Sequence, residues 1–230
     1  FFLYMVILIY AVAVMRATLD EKVSRVVEVI ISSMKPWHLM LGKILGVWAV
    51  SMTQILVWIC SVTLLIAAGI PALLSGQYGL PQLGNLGEVL PDPGLWALFM
   101  GFFVLGYLMY SGLYAALGAM CSTDQEAQQA QLPMVMLLLV PILMVIPVIQ
   151  SPMTSASTGL SLFPLFSPIL MWARVATGAV PAWQIGLSFV LMALSVFGIA
   201  WVAGRIYKAG ILMTGKRPTL PELWRWLREA

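Results

Sequence analysis

The stretch Leu95–Met120 reads LWALFMGFFVLGYLMYSGLYAALGAM, without a single Asp, Glu, Lys or Arg. As a helix it would extend about 39 Å at 1.5 Å per residue, against a hydrocarbon core of roughly 30 Å. An uncharged run of that length spans a bilayer. Four more apolar stretches lie outward from it: Phe1–Met15, about Ile44–Ile70, Leu132–Ile149 and Ile185–Ile206. The first has 15 residues and begins abruptly at Phe1. It is read as the end of a span that starts before this sequence. A signal peptide competes with that reading, but no basic segment precedes the run.

Composition agrees. Of 230 residues, 61% are hydrophobic and 9% are charged, where soluble domains carry about 25% charge. Mean hydropathy is +0.97. A soluble globule of this composition would expose large apolar patches, and a disordered chain would be far more polar. Two cysteines exclude a disulfide scaffold. The net charge of +3 comes from basic residues that flank apolar runs and form no patch, so nucleic acid is not expected as a partner. The expected fold is all-α, a polytopic transmembrane helical bundle and a single domain over 1–230.

Lys and Arg set the orientation. With the end of the first stretch inside, five fall in the 16–43 connection and six from Arg205 onward, leaving only Arg174 outside. That bias obeys the positive-inside rule. The Gly- and Pro-rich 76–94 segment then reads as an outer loop and Cys121–Gln131 as a short inner loop. Gln150–Trp183 holds Pro152, Pro164, Pro168 and Pro181 around the apolar Ile169–Trp172, and reads as short re-entrant outer helices. Residues 207–230 form an inner tail, with Trp224 and Trp226 at headgroup depth.

Thr18–Met34 is different in kind. Leu19, Val23, Val26, Val27, Ile30, Ile31 and Met34 recur at helical spacing, and the other face is charged or hydroxylated. Thr18 and Glu21 fit a capping box, Glu21 and Arg25 an i,i+4 pair, and Pro36 helps end the helix. This describes an amphipathic helix on the cytoplasmic surface. It either anchors the bundle or offers a docking surface. Its mixed charge favours docking, because a helix made for anionic lipid is mainly basic.

The spans carry no internal charge, which argues against a self-powered ion-coupled carrier. Their milder polar groups are Ser51 and Gln54 in one stretch, and Tyr107, Tyr110, Ser111 and Tyr114 at helical spacing in another. These are either ordinary packing groups or the wall of a substrate pathway, candidates Ser51, Gln54, Tyr107, Tyr110 and Tyr114. Gly42 and Gly46 form a GxxxG, while Pro133, Pro141 and Pro147 should bend or loosen the fourth span. His38 with Cys60 and Cys121 makes no metal site. Gly210–Arg217 approaches a phosphate-binding loop, but Arg217 stands where Ser or Thr must hold Mg²⁺.

The residues Asp20-Glu21-Lys22 through Arg25 and Glu28 to Ser32-Ser33, then Pro36 and Gly42-Lys43, resemble the signature of ABC-2-type transporter permeases, in the branch that includes the sodium-exporting Nat permeases. Gly112–Glu126 and Phe166–Arg174 resemble further family segments. The resemblance implies six spans per subunit, a cytoplasmic coupling helix at Thr18–Met34 and re-entrant outer helices. It implies a permease subunit of an ATP-driven exporter, not itself an enzyme, in the bacterial inner membrane. It implies a second permease subunit and a separate ABC ATPase, contacted by Glu21, Lys22, Arg25 and Glu28. No cofactor is expected on this chain, ATP and Mg belonging to the partner. The family's first span and extracytoplasmic domain are not in this sequence, so the chain reads as a C-terminal fragment. Sodium, a drug, a peptide or a lipid would each fit as substrate. A membrane scaffold or sensor that recruits a soluble partner is the alternative.

Overall fold

A computed structural model describes residues 1–24, 36–65, 93–178 and 180–210. Among them are seven helices and no strand: α1 Phe2–Val23, α2 Pro36–Leu64, α3 Pro93–Met120, α4 Asp124–Gln150, α5 Ser155–Leu162, α6 Ser167–Val175 and α7 Ala182–Gly210. Five of them, α1 to α4 and α7, are long and apolar enough to cross a membrane.

The uncharged run that opens the sequence reading becomes α3, and it is the axis of the bundle. It packs between α1 and α7, its two most extensive partners. Its inner face is aromatic and small by turns. Phe102, Phe103, Tyr107, Tyr110 and Tyr114 are buried, and glycines between them let neighbours approach. A Cβ on Gly118 would sit 2.5 Å from the Met15 carbonyl oxygen, so only glycine permits this α1–α3 contact. The GxxxG of α2 behaves otherwise: among the described residues no atom lies within 4 Å of a Cβ built on Gly42 or Gly46, so the motif makes no close helix contact there.

The helix ends differ from the sequence expectation in three places. First, α1 does not stop at Met15 but continues unbroken to Val23, and Thr18 lies inside it. The Thr18 hydroxyl donates to the Val14 carbonyl at 2.9 Å, a mid-helix bond, so the capping box expected there does not exist. Second, α2 starts at Pro36, well before Ile44. Third, the inner loop shrinks to Cys121–Thr123. Gln125 to Gln131 are good helix formers, and they extend α4 back to a genuine cap, where the Glu126 N–H donates to the Thr123 hydroxyl at 3.2 Å and the Glu126 carboxylate accepts from the Ser122 N–H at 2.8 Å. Pro133, Pro141 and Pro147 all lie within the single helix α4.

Two short helices, α5 and α6, occupy the expected punctuated segment. The basic end of the bundle, where α1 and α7 finish, carries Lys22, Lys43, Arg205 and Lys208. The opposite end carries an aromatic cluster, with Phe2 against Trp58 at 5.2 Å and Phe99 against Trp172 at 5.4 Å.

Candidate functional site

The site of interest is the basic end, where α1 leaves the bundle toward the segment that bears the sequence signature. Arg25 and Glu28 of that signature lie outside the described residues, as do most of Thr18–Met34 and the tail from residue 211. Glu21 and Lys22 are described, on the last turn of α1.

Lys22 is expected from sequence on an outward polar face. Its side chain is instead 5% exposed. The reason is helical phase. Because α1 continues, Lys22 follows Val14, Met15, Thr18 and Leu19 on the buried stripe, while Val23, read as part of the apolar face, is 60% exposed. The Lys22 ammonium donates to the Ala119 carbonyl at 2.6 Å and the Gly210 carbonyl at 2.8 Å. Ala119 lies in the last turn of α3, where carbonyls lack intrahelical partners and the helix dipole is negative, and Gly210 is the last described residue of α7. One cation thus ties the ends of three spans.

Glu21 reaches α2. Its carboxylate lies 2.7 Å from the Lys43 ammonium. Lys43 also donates to the Ala17 carbonyl at 3.1 Å and stands 5.9 Å from the centre of the Tyr207 ring. The two helices that flank residues 25–35 are therefore joined at their bases by an ion pair, and both are anchored to α3 and α7.

The five pathway candidates lie on two helices, Ser51 and Gln54 on α2 and the three tyrosines on the buried face of α3. The Tyr107 hydroxyl donates to the Ile44 carbonyl of α2 at 2.8 Å, and the Tyr110 hydroxyl to the Leu165 carbonyl in the α5–α6 turn at 2.6 Å. Tyr114 is buried with no hydrogen-bond partner for its hydroxyl among the described residues. Ser51 donates to Trp48 on its own helix, and Gln54 is half-buried. The Tyr107 and Tyr110 hydroxyls thus each join α3 to a neighbouring element.

Sequence reasoning counted Arg174 only as the one outer cation. It is fully buried. Its guanidinium donates to the Pro152 carbonyl at 2.8 Å, Ser161 at 2.6 Å, Thr158 at 3.3 Å and the Gln184 side-chain oxygen at 2.9 Å. Burial lowers its pKa. The acceptors lie on the α4–α5 turn, α5 and α7, so this side chain from α6 assembles the opposite end. The only available signal was a lone Arg flanked by Ser, Thr and Gln. Cys60 is exposed and Cys121 buried, and they are not bonded to each other.

Long apolar helices gathered around one uncharged axis define a multi-pass membrane protein. The chain belongs to the ABC-2 transporter family: the ABC-2 family transporter protein pattern covers residues 1–205. It is 31% identical over 235 aligned positions to the uncharacterised protein YhaP of Bacillus subtilis, covering all of this chain and 54% of that protein. It is 27% identical over 221 positions to the uncharacterised protein MJ1024 of Methanocaldococcus jannaschii, covering 96% of this chain and 50% of that protein. The chain therefore spans about half the length of these relatives. No solved structure matches it.

Proposed function

We propose that this chain forms the core of a permease subunit of an ATP-driven exporter, which moves a sodium ion, a drug or another small molecule out across the bacterial inner membrane. ATP is hydrolysed on a separate ABC ATPase, and a second permease subunit completes the pathway. The basic end faces the cytoplasm, in keeping with the charge bias. The observation that carries this reading is the basic junction. Residues 25–35 are inserted between two helices joined by Glu21 and Lys43, with Lys22 tying α1 to α3 and α7. A partner that pushes on this insert moves the spans together. Family membership supports the same reading.

The division of labour within the signature changes accordingly. Arg25 and Glu28 are the residues proposed to meet the ATPase. Glu21 and Lys22 hold the frame through which the push travels. The test is co-expression of the whole protein with the ATPase of its own operon, with and without Arg25→Glu plus Glu28→Lys. The ATPase should co-purify with the wild type and be lost from the double variant, with substrate-stimulated ATP hydrolysis falling to the basal rate. Unchanged co-purification and coupling in the double variant would sink the proposal.

A further inference from the structure

A groove of about 750 Å³ lies between α2, α3 and α7 at the basic end of the bundle. Its walls are apolar, including Trp37, Ile44, Leu108 and Phe197, and its end carries Arg205 and Lys208. Along α7 it runs from Val196 to Lys208, about 18 Å of helix, close to the roughly 15 Å of hydrocarbon in one leaflet. A single leaflet therefore fits its length, with the cations at headgroup depth.

Arg205 is poorly satisfied. The Arg205 guanidinium lies 3.5 Å from the centre of the Trp201 ring, which fixes its plane. Its Nε and Nη1 are buried and have no hydrogen-bond partner among the described residues. Buried guanidinium donors without an acceptor are costly. Arg205 and Lys208 together make this end of the groove positive, and the complementary ligand is an anion at headgroup depth with an apolar body along the walls. Lys208 is exposed one turn further out and adds a second positive charge. Trp37 lies directly on Gly204, where a Cβ would meet its ring at 2.7 Å, so the backbone of α7 itself shapes one wall.

We propose that this groove holds one anionic phospholipid of the adjoining leaflet, with its phosphodiester on Arg205 and Lys208 and an acyl chain along α7 between Trp37 and Phe197. Charge complementarity selects this occupant. Inorganic phosphate alone leaves the apolar walls bare, and an apolar face of a second copy leaves the Arg205 donors without an acceptor. The leaflet on the side chosen by the positive-inside bias is the anionic one. The lipid wedges α2 against α7 beside the Lys22–Gly210 contact, so it sets the spacing of two helices that meet at the junction. The inference rests on the membrane location and orientation, and not on coupling to an ATPase.

The test is native mass spectrometry of the whole protein in mild detergent, titrated with phosphatidylglycerol or phosphatidylcholine. The wild type should retain one phosphatidylglycerol per chain after delipidation has removed phosphatidylcholine. Arg205→Gln with Lys208→Gln should weaken phosphatidylglycerol about thirtyfold and phosphatidylcholine by less, so that the preference for the anionic lipid is lost. Lys208→Gln alone, at an exposed position, should weaken it about fivefold. Ala200→Phe, which fills the groove, should abolish retention of either lipid there. Equal binding of both lipids, or discrimination unchanged in the double variant, overturns the proposal. Complete displacement by millimolar inorganic phosphate overturns it in favour of a phosphate site. Dissociation of the purified oligomer by Ala200→Phe overturns it in favour of a second copy in the groove.

Discussion

Each end of the bundle is organised around a buried cation with no carboxylate among its hydrogen-bond partners in the described residues, yet the two are built on different principles. Lys22 is a compact point charge set against the carbonyls that end α3 and α7. Those carbonyls need donors whatever the sequence, because helix ends leave them unpaired. Arg174 is a planar fork aimed at a carbonyl, two hydroxyls and an amide oxygen. Its partners are specific side chains and a turn, arranged around its geometry. The lysine therefore joins spans by a feature every helix has. The arginine joins short helices by a constellation that only these residues make.

That difference can be broken in a stated order. Arg174→Met removes four hydrogen bonds from a charged group and leaves their buried acceptors unpaired, and should cost ~2–4 kcal/mol in reversible unfolding in detergent. Arg174→Lys should recover little, since an ammonium does not reproduce the fork. A full rescue by lysine would show that charge alone matters. Lys22→Met should cost less, ~1–3 kcal/mol, because water at the membrane surface can reach frayed helix ends. It should also reduce ATPase coupling without abolishing ATPase binding, whereas loss of binding would place Lys22 in the interface after all. The smallest effects separate the two Thr-x-x-Glu segments. Thr123→Val should cost ~1 kcal/mol through the lost cap, and Thr18→Val less than ~0.5 kcal/mol. Equal costs would mean that α4 does not depend on its cap.

Those two segments also mark how much could be read beforehand. The spans were legible because an uncharged run has one low-energy solution in lipid, and α3 ends within two residues of where the apolar stretch does. The short helices α5 and α6 were legible from their prolines. The same Thr-x-x-Glu pattern, however, means a cap at Thr123 and nothing at Thr18. What differs is the preceding chain: Cys121-Ser122 breaks from the helical pattern, whereas Val14 to Ala17 continue it. The apolar spacing over Thr18–Met34 and the Thr18/Glu21 pair predict a separate surface helix, whereas residues 18–23 continue α1 and bury Lys22. Its partners, 97 and 188 residues away, carry no local signal. The partners of Arg174 were equally invisible, since Ser, Thr and Gln in a polar loop look like solvent-facing residues until the fold places them around one guanidinium.

The reach of these bonds along the chain has a temporal meaning. Arg174 finds its oxygen acceptors within 10 to 22 residues. It can be satisfied almost as soon as its own segment is made, and loop closure over such distances is fast. Lys22 waits for Ala119 and then for Gly210, near the far end of the sequence. Until α7 has been synthesised and threaded, one of its two acceptors does not exist. An incomplete or misthreaded chain therefore carries an ammonium group with half its partners missing, at the very junction proposed to receive force from outside. The Lys22 contact is complete only once α1, α3 and α7 have all come together.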